Sequence, residues 1–428
     1  MRSSPFIKNI MLMISGGAAG SLFSLAIAPI ISRLYDPADF GVAALFLSIA
    51  ALIGNLAPLT YERAIVISKT QDEANSLLNA ALFCMFTVLI CTTLILVTNS
   101  MHSFLPYQDK LGAWLYLVPV MALIVGSGVI LEMWTVRYKH FKNLAMANMV
   151  DPISLGSTRL ALGYFLGSAV WPLISGLFIG ALFKIGILAS LSLSTLKTAF
   201  RSFNARSLKK TLREYKDFPI FNAPASFINR LASELPMLIF GALYAPEIVG
   251  FYAIAIRLLQ APVTVCSNTA RKVYHQRLAE QKNNGKRLTK SYIQFLAFCF
   301  VVGLVPFGAL YLFGEEFITL LLGEKWRTAG VYSEILIPWL FSLWLTIPSS
   351  VVVEVLRKQN IWLYVQVFHL TSRSLVFFLG SLYALSIEEM LHYFVLVCLA
   401  GSLLVMTVCF VTSYRYDKGL SDANSPSP

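Results

Sequence analysis

The chain alternates long apolar blocks with short segments that hold most of its charge. Each block reaches or approaches the roughly 20 residues a helix needs to cross a bilayer. Twelve candidate spans fall at about 10–32, 41–66, 77–98, 113–136, 147–166, 170–194, 218–243, 248–270, 291–313, 331–353, 361–384 and 390–413. Lipid offers no partner for backbone N–H and C=O groups, so spans of this kind are helices. The pattern predicts an all-α polytopic membrane protein. The first block is read as a retained helix. It is longer than the 7–15 residues or so of a signal-peptide core, and Pro29 follows its Ala-x-Ala.

Lysine and arginine sort by side. With the N-terminus placed in the cytoplasm, 24 of the 34 basic residues fall in cytoplasmic segments. Four (Arg33, Lys110, Lys325, Arg327) fall outside and six remain within spans. Such a bias is the positive-inside signal, and it puts both termini in the cytoplasm. The net charge of +12 is mostly this signal, so nucleic acid is not expected as a partner. Composition agrees: 57% hydrophobic and 13% charged residues, with a mean hydropathy of +0.69.

A repeat runs through the chain. LYDPADFG (34–41) recurs as LYAPEIVG (243–250), each phrase joining an odd-numbered span to the next. WLYLVPVMALI in span four matches ILIPWLFSLW in span ten by an early proline, Pro119 and Pro338. STRLALGYFLG (157–167) matches TSRSLVFFLG (371–380), pairing Arg159 with Arg373. The expected organisation is therefore a six-helix bundle over 1–194, a basic cytoplasmic linker over 195–217, a second six-helix bundle over 218–414 and a disordered tail over 415–428. Two parallel six-span bundles form a transporter architecture with the substrate path between them.

Charges within spans mark candidate function. A cation at mid-bilayer costs about 2.5–3.5 kcal/mol, so it is expected to face a cavity or a partner. The six are Arg63, Arg159, Lys184, Arg230, Arg257 and Arg373, and the accompanying acids are Glu62, Glu132, Asp151 and Glu234. Helical spacing sets polar residues in stripes. Span seven carries Asn222, Ser226, Asn229–Arg230 and Ser233–Glu234, and span eight Arg257, Gln260, Thr264, Ser267–Asn268 and Arg271. Span eleven carries Trp362, Gln366, His369 and Arg373, and span two Ser48, Asn55 and Glu62. These stripes suggest a wet central cavity. The substrate-binding candidates are Arg159, Lys184, Arg230, Arg257, Arg373, Gln366 and Asn222. The coupling candidates are Glu62, Glu132, Asp151 and Glu234. Structural alternatives stand beside them. Arg230 and Glu234 have the i,i+4 spacing of a local pair, Glu62–Arg63 and Glu132 lie near cytoplasmic ends where water could solvate them, and Asp151 could cap its helix. Gly16, Gly20 and Ser24 read instead as a close-packing face. The basic segment 196–219 has nearly helical apolar spacing and reads as an interfacial helix on anionic lipid. The six cysteines are read as buried small hydrophobes, and no metal, cofactor or catalytic motif is found.

The run LYDPADFGVAALFLSIAALIGNLAPLTYERAIVIS (34–68), with Pro37, Phe40–Gly41 and the Tyr61–Ile65 segment, resembles the early part of the O-antigen (Wzx-type) polysaccharide flippases. These belong to the multidrug/oligosaccharidyl-lipid/polysaccharide superfamily. The resemblance implies a MATE-like fold. It also implies flipping of undecaprenyl-diphosphate-linked oligosaccharide from the cytoplasmic to the periplasmic leaflet of a bacterial inner membrane. A polysaccharide polymerase and a chain-length regulator are the partners such a pathway implies, with membrane lipids. A multidrug or cation antiporter of the same fold is the alternative. Against it, span one lacks a carboxylate and cations outnumber acids within the spans. A membrane-embedded polymerase or ligase is disfavoured by the short external loops.

Overall fold

The computed structural model describes residues 5–190, 192–201, 204–356 and 358–423. Among them it is helical throughout, with no strand. The chain packs as two compact units, Met1–Ala253 and Ile254–Pro428. The first unit holds α1 (Pro5–Leu34), α2 (Pro37–Leu56), α3 (Tyr61–Ile67), α4 (Gln71–His102), α5 (Gln108–Leu111), α6 (Val118–Arg137), α7 (Phe141–Leu166), α8 (Val170–Ser190), α9 (Leu193–Arg201), α10 (Ala205–Glu214), α11 (Ala223–Leu243) and the start of α12 (Pro246–Asn283). The second holds the rest of α12, then α13 (Thr289–Leu322), α14 (Arg327–Leu345), α15 (Ile347–Val355), α16 (Gln359–Leu382) and α17 (Ile387–Ala423).

Among the described residues, eight helical stretches are long and apolar enough to cross a membrane, by length and composition. The expected spans five, seven, eight and eleven, now α7, α11, α12 and α16, are not among them. All four have ample length, at 26, 21, 38 and 24 residues. Together they carry four of the six intramembrane cations, Arg159, Arg230, Arg257 and Arg373, and part of α12 and of α16 lies outside the described side chains. Elsewhere the outer faces are apolar: Phe83, Ile90 and Leu94 on α4 and Val301, Val305 and Leu320 on α13 are exposed. Continuous apolar faces of this size belong in lipid. The chain is a multi-pass membrane protein.

Several expectations change in detail. Span two is two helices. Pro58 cannot continue the hydrogen-bond ladder of α2, and Leu59 and Thr60 take positive φ of 49° and 62° before α3 begins. Thr60 is held there by its hydroxyl, which donates to the Phe218 carbonyl at 3.0 Å. Span ten likewise divides into α14 and α15. The last helix runs to Ala423, past the start expected for a disordered tail, and 424–428 lie outside the described residues. The basic linker is helical, and its apolar side is occupied by protein, not lipid. Leu196 and Ala199 are buried in the core of the first bundle, with Leu208, Leu212 and Tyr215 packed against it. The packing boundary falls within α12, not at the linker, because α11 and the first turns of α12 pack against the first bundle. Cys84, Cys299, Cys398 and Cys409 are buried as expected, but Cys91 is exposed, and the Cys266 side chain lies outside the described residues.

Candidate functional site

The stripe expected on span seven is present on α11 and its lead-in turn. Asn222, Asn229, Arg230 and Ser233 are exposed, and Ser226 and Glu234 half-buried. A helix of this length with an open polar face is solvated by water on that face, since lipid cannot satisfy amides and a guanidinium. Arg230 Nη2 lies 3.0 Å from Glu234 Oε1, so the local pair forms. The other oxygen, Glu234 Oε2, accepts a hydrogen bond from Ser48 Oγ of α2 at 2.7 Å. This bond joins the polar stripes of α2 and α11. Arg230 keeps two-fifths of its side chain exposed, leaving donors of its planar fork available to an anion.

The remaining candidates in the first unit lie in packed surroundings. Lys184 of α8 meets Glu132 of α6 at 2.6 Å, each about a quarter exposed. The pair joins a substrate candidate to a coupling candidate. Arg159 is 5% exposed, and its Nε donates to the Leu173 carbonyl of α8 at 3.1 Å. Tyr35 donates in turn to the Arg159 carbonyl at 2.6 Å. Glu62 is 3% exposed and stands 3.8 Å from Arg63. Asp151 faces α8, where a methyl on Gly180 would come within 2.9 Å of its Oδ1. The small-residue face of α1 packs on α7: Gly16 lies against Ala145 and Gly20 against Asn148 and Pro152.

In the second unit, Arg257, Thr264 and Arg271 of α12 are exposed and Gln260 half-buried. Arg271 is ion-paired with Glu354 of α15. Gln366 is half-buried on α16; the side chains of Trp362 and Asn268 lie outside those described. Arg373, the repeat counterpart of Arg159, is 7% exposed. Its guanidinium sits 5.6 Å from the Trp339 ring centre and 5.4 Å from that of Phe394. The matched arginines therefore occupy comparable buried sites, each fastening helices of its own bundle. Of the six in-span cations, Arg63, Arg230 and Arg257 are exposed.

One arrangement was missed at the level of sequence. The two copies of the repeated phrase touch. A Cβ on Gly41 would collide with the Pro246 carbonyl and lie 2.9 Å from Gly250 N. A Cβ on Gly250 would collide with the Pro37 carbonyl and lie 3.1 Å from Gly41 N. The first turns of α2 and α12 cross at these glycines as near-symmetric partners. Lys110, on the short helix α5, reinforces the crossing. Its ammonium donates to the carbonyls of Gly241 (2.7 Å), Ala242 (3.0 Å) and Tyr244. Three donors thus meet three carbonyls at the negative end of α11. Tyr107 donates to the Leu238 carbonyl nearby, at 3.3 Å. The available signal was that Lys110 is one of only four cations on its expected side.

Two parallel repeats, water-facing polar stripes and an apolar exterior define a transporter-type membrane fold. Comparison with known proteins gives the same class. Over 96% of this chain and 93% of the other, it superposes on the lipid II flippase MurJ in an inward closed conformation, with a TM-score of 0.69 at 12% identity. Over 97% and 96% it superposes on an inward-facing MATE transporter of the MOP superfamily, with a TM-score of 0.65 at 13% identity. The profile of the polysaccharide biosynthesis protein family matches residues 30–330, and the chain belongs to that family. It is 22% identical over 306 residues to the succinoglycan biosynthesis transport protein ExoT of Rhizobium meliloti (strain 1021). That match covers 70% of this chain but only 59% of the relative's length.

Proposed function

We propose that the protein moves a polyprenyl-diphosphate-linked oligosaccharide from the cytoplasmic to the periplasmic leaflet of a bacterial inner membrane, by alternating access. The observation that carries this reading is the open polar stripe of α11, in which Arg230 stays two-fifths exposed among amides and a hydroxyl. Such a stripe suits a headgroup that combines anionic phosphates with hydroxyls. In the first unit Arg230 supplies a forked donor for phosphate oxygens, and Asn222, Asn229 and Ser233 suit sugar hydroxyls; in the second unit Arg257 and Gln366 are the candidates of the same two kinds. The transport role named for the succinoglycan relative and the flippase role named for MurJ support the same reading.

Opposite sides of the membrane would be sealed in turn. With both termini cytoplasmic, the Gly41–Gly250 crossing and the Lys110 clamp lie on the periplasmic side and close it. Outward movement of an anion from a negative cytoplasm gains roughly 2.3 kcal/mol per charge per 100 mV, so the membrane potential can favour export. The Glu132–Lys184 and Glu234–Arg230 pairs are the groups through which a proton could couple.

The test is complementation of a bacterium that lacks its own repeat-unit flippase but makes the matching lipid-linked sugar. Wild type is expected to restore surface polysaccharide, and Arg230→Ala and Arg257→Ala to fail at equal membrane abundance. Export of a cationic dye with no polysaccharide would transfer the protein to the antiporter class.

A further inference from the structure

A second cationic site lies outside the α11 stripe. Arg206, Lys209, Lys210 and Arg213 stand at i, i+3, i+4 and i+7 on α10 and are exposed. With Glu214 they line an open groove of about 380 Å³. No carboxylate among the described residues forms an ion pair with any of these four cations.

The groove is rigidly mounted. Asn204 caps α10, its side-chain oxygen accepting from the Arg206 amide at 2.9 Å. Ser207 and Ser76 share a hydrogen bond of 2.7 Å, and Tyr61 donates to the Leu212 carbonyl at 3.2 Å. Tyr215 donates to Glu73. Burial first, and the Glu73 carboxylate second, push the Tyr215 phenol up to about 12, so it remains a donor at physiological pH. With Leu208 and Leu212 packed on the bundle, the helix has no apolar face left to insert into lipid. An interfacial anchor needs that face. What remains is a fixed row of four exposed cations along the outer face of α10.

We propose that this groove receives the diphosphate headgroup of the lipid-linked cargo before it reaches the α11 stripe. The proposal rests on the flippase reading above. Two observations favour the diphosphate over the general anionic surface of the bilayer. The four cations stand within two turns of one fixed helix, about 10 Å along its axis, so that one diphosphate can meet several of them. And the chain passes directly from the groove through Ile220 and Phe221, 53% and 67% exposed, to Asn222, where the stripe opens. The two exposed apolar side chains offer a polyprenyl tail a lipid-side contact while its phosphates sit on α10.

The experiment places an environment-sensitive dye at Glu214→Cys in a Cys91→Ser background, in neutral phosphatidylcholine nanodiscs. The probe is undecaprenyl diphosphate, with phosphatidylglycerol at matched charge as the second arm. The expected result is a saturable response to the diphosphate that exceeds the phosphatidylglycerol response. Its Kd should rise at least about tenfold in the R206Q/K209Q/K210Q/R213Q variant, since each surface cation contributes measurably to phosphate attraction. An equal response to phosphatidylglycerol, or an unchanged Kd in the variant, overturns the proposal. Transport in proteoliposomes separates the two readings. Flipping without a diphosphate response at the dye removes the groove and keeps the flippase. A diphosphate response that the variant abolishes, without flipping by wild type, keeps the groove and removes the flippase.

Discussion

The glycine crossing gives the most direct test of alternating access. In Gly41→Ala the added methyl would lie 2.7 Å from the Pro246 carbonyl carbon and 2.9 Å from Gly250 N, and closer still to the Pro246 oxygen. Carbon contacts settle near 3.5–4.0 Å and the carbonyl oxygen is nearer still, so the first turns of α2 and α12 must part by at least about 1 Å. The obstructing atoms are backbone, which cannot rotate away. Overpacking of this kind costs about 1–3 kcal/mol, which shifts a two-state equilibrium roughly 5–150-fold away from the crossed state. Gly250→Ala meets the Pro37 carbonyl in the same manner and should cost about the same. The double variant separates this account from general damage. Once one methyl has parted the helices, the second meets little, so the two effects should be strongly subadditive, as for residues in contact. Spin labels at Asp36→Cys and Ala245→Cys, matched positions of the repeated phrase, report the separation by pulsed electron resonance. Wild type should show a short-distance population that shrinks in either single variant and shrinks little further in the double. Unchanged distances, or penalties that simply add, would refute the assignment of the crossing as a gate.

Three further outcomes are expected. Lys110→Met removes three hydrogen bonds to the end of α11 and should raise labelling of Ala245→Cys by an impermeant thiol reagent from the periplasmic side; unchanged labelling would refute the clamp. Glu132→Gln leaves Lys184 uncompensated at 2.6 Å and should destabilise the protein by about 3 kcal/mol, whereas Glu132→Gln with Lys184→Met should recover much of that loss in thermal unfolding. Arg373→Ala removes two cation–π contacts, each about 0.5–2 kcal/mol, and should lower the unfolding temperature while leaving cargo affinity unchanged; the opposite pattern would return Arg373 to the transport path.

The helices were legible because bilayer length and helical period are local properties of a sequence. The polar stripes on spans two, seven, eight and eleven were legible for the same reason, since i, i+4 spacing is read from neighbouring residues alone. Contacts were less legible where the partner lies far along the chain. Glu132 and Lys184 sit on separate helices, and neither neighbourhood carries a trace of the other. The break at Leu59–Thr60 was hidden because both residues are ordinary by composition, and a hydroxyl bond to Phe218 holds one of them in place. The apolar spacing of α10 was read correctly as helical and assigned to the wrong neighbour, because the same period serves a lipid surface and a protein core equally well.

The doubled phrase shows what a repeat does and does not reveal. Its two copies establish that the halves share a plan; they do not by themselves say that the copies touch. The glycines in them carry that further information. Where two equivalent segments cross about a pseudo-twofold axis, each residue at the crossing meets its own counterpart, so the space available to a side chain is halved on both sides at once. Gly41 facing Pro246 and Gly250, and Gly250 facing Pro37 and Gly41, are the two expressions of that single constraint. At these two glycines the crossing is made by backbone, which leaves no side chain there to disentangle when the helices part. The Lys110 clamp adds a polar hold that water can replace group for group. On the proposed reading of the crossing as a gate, both copies are needed, and altering either one should be felt at the other.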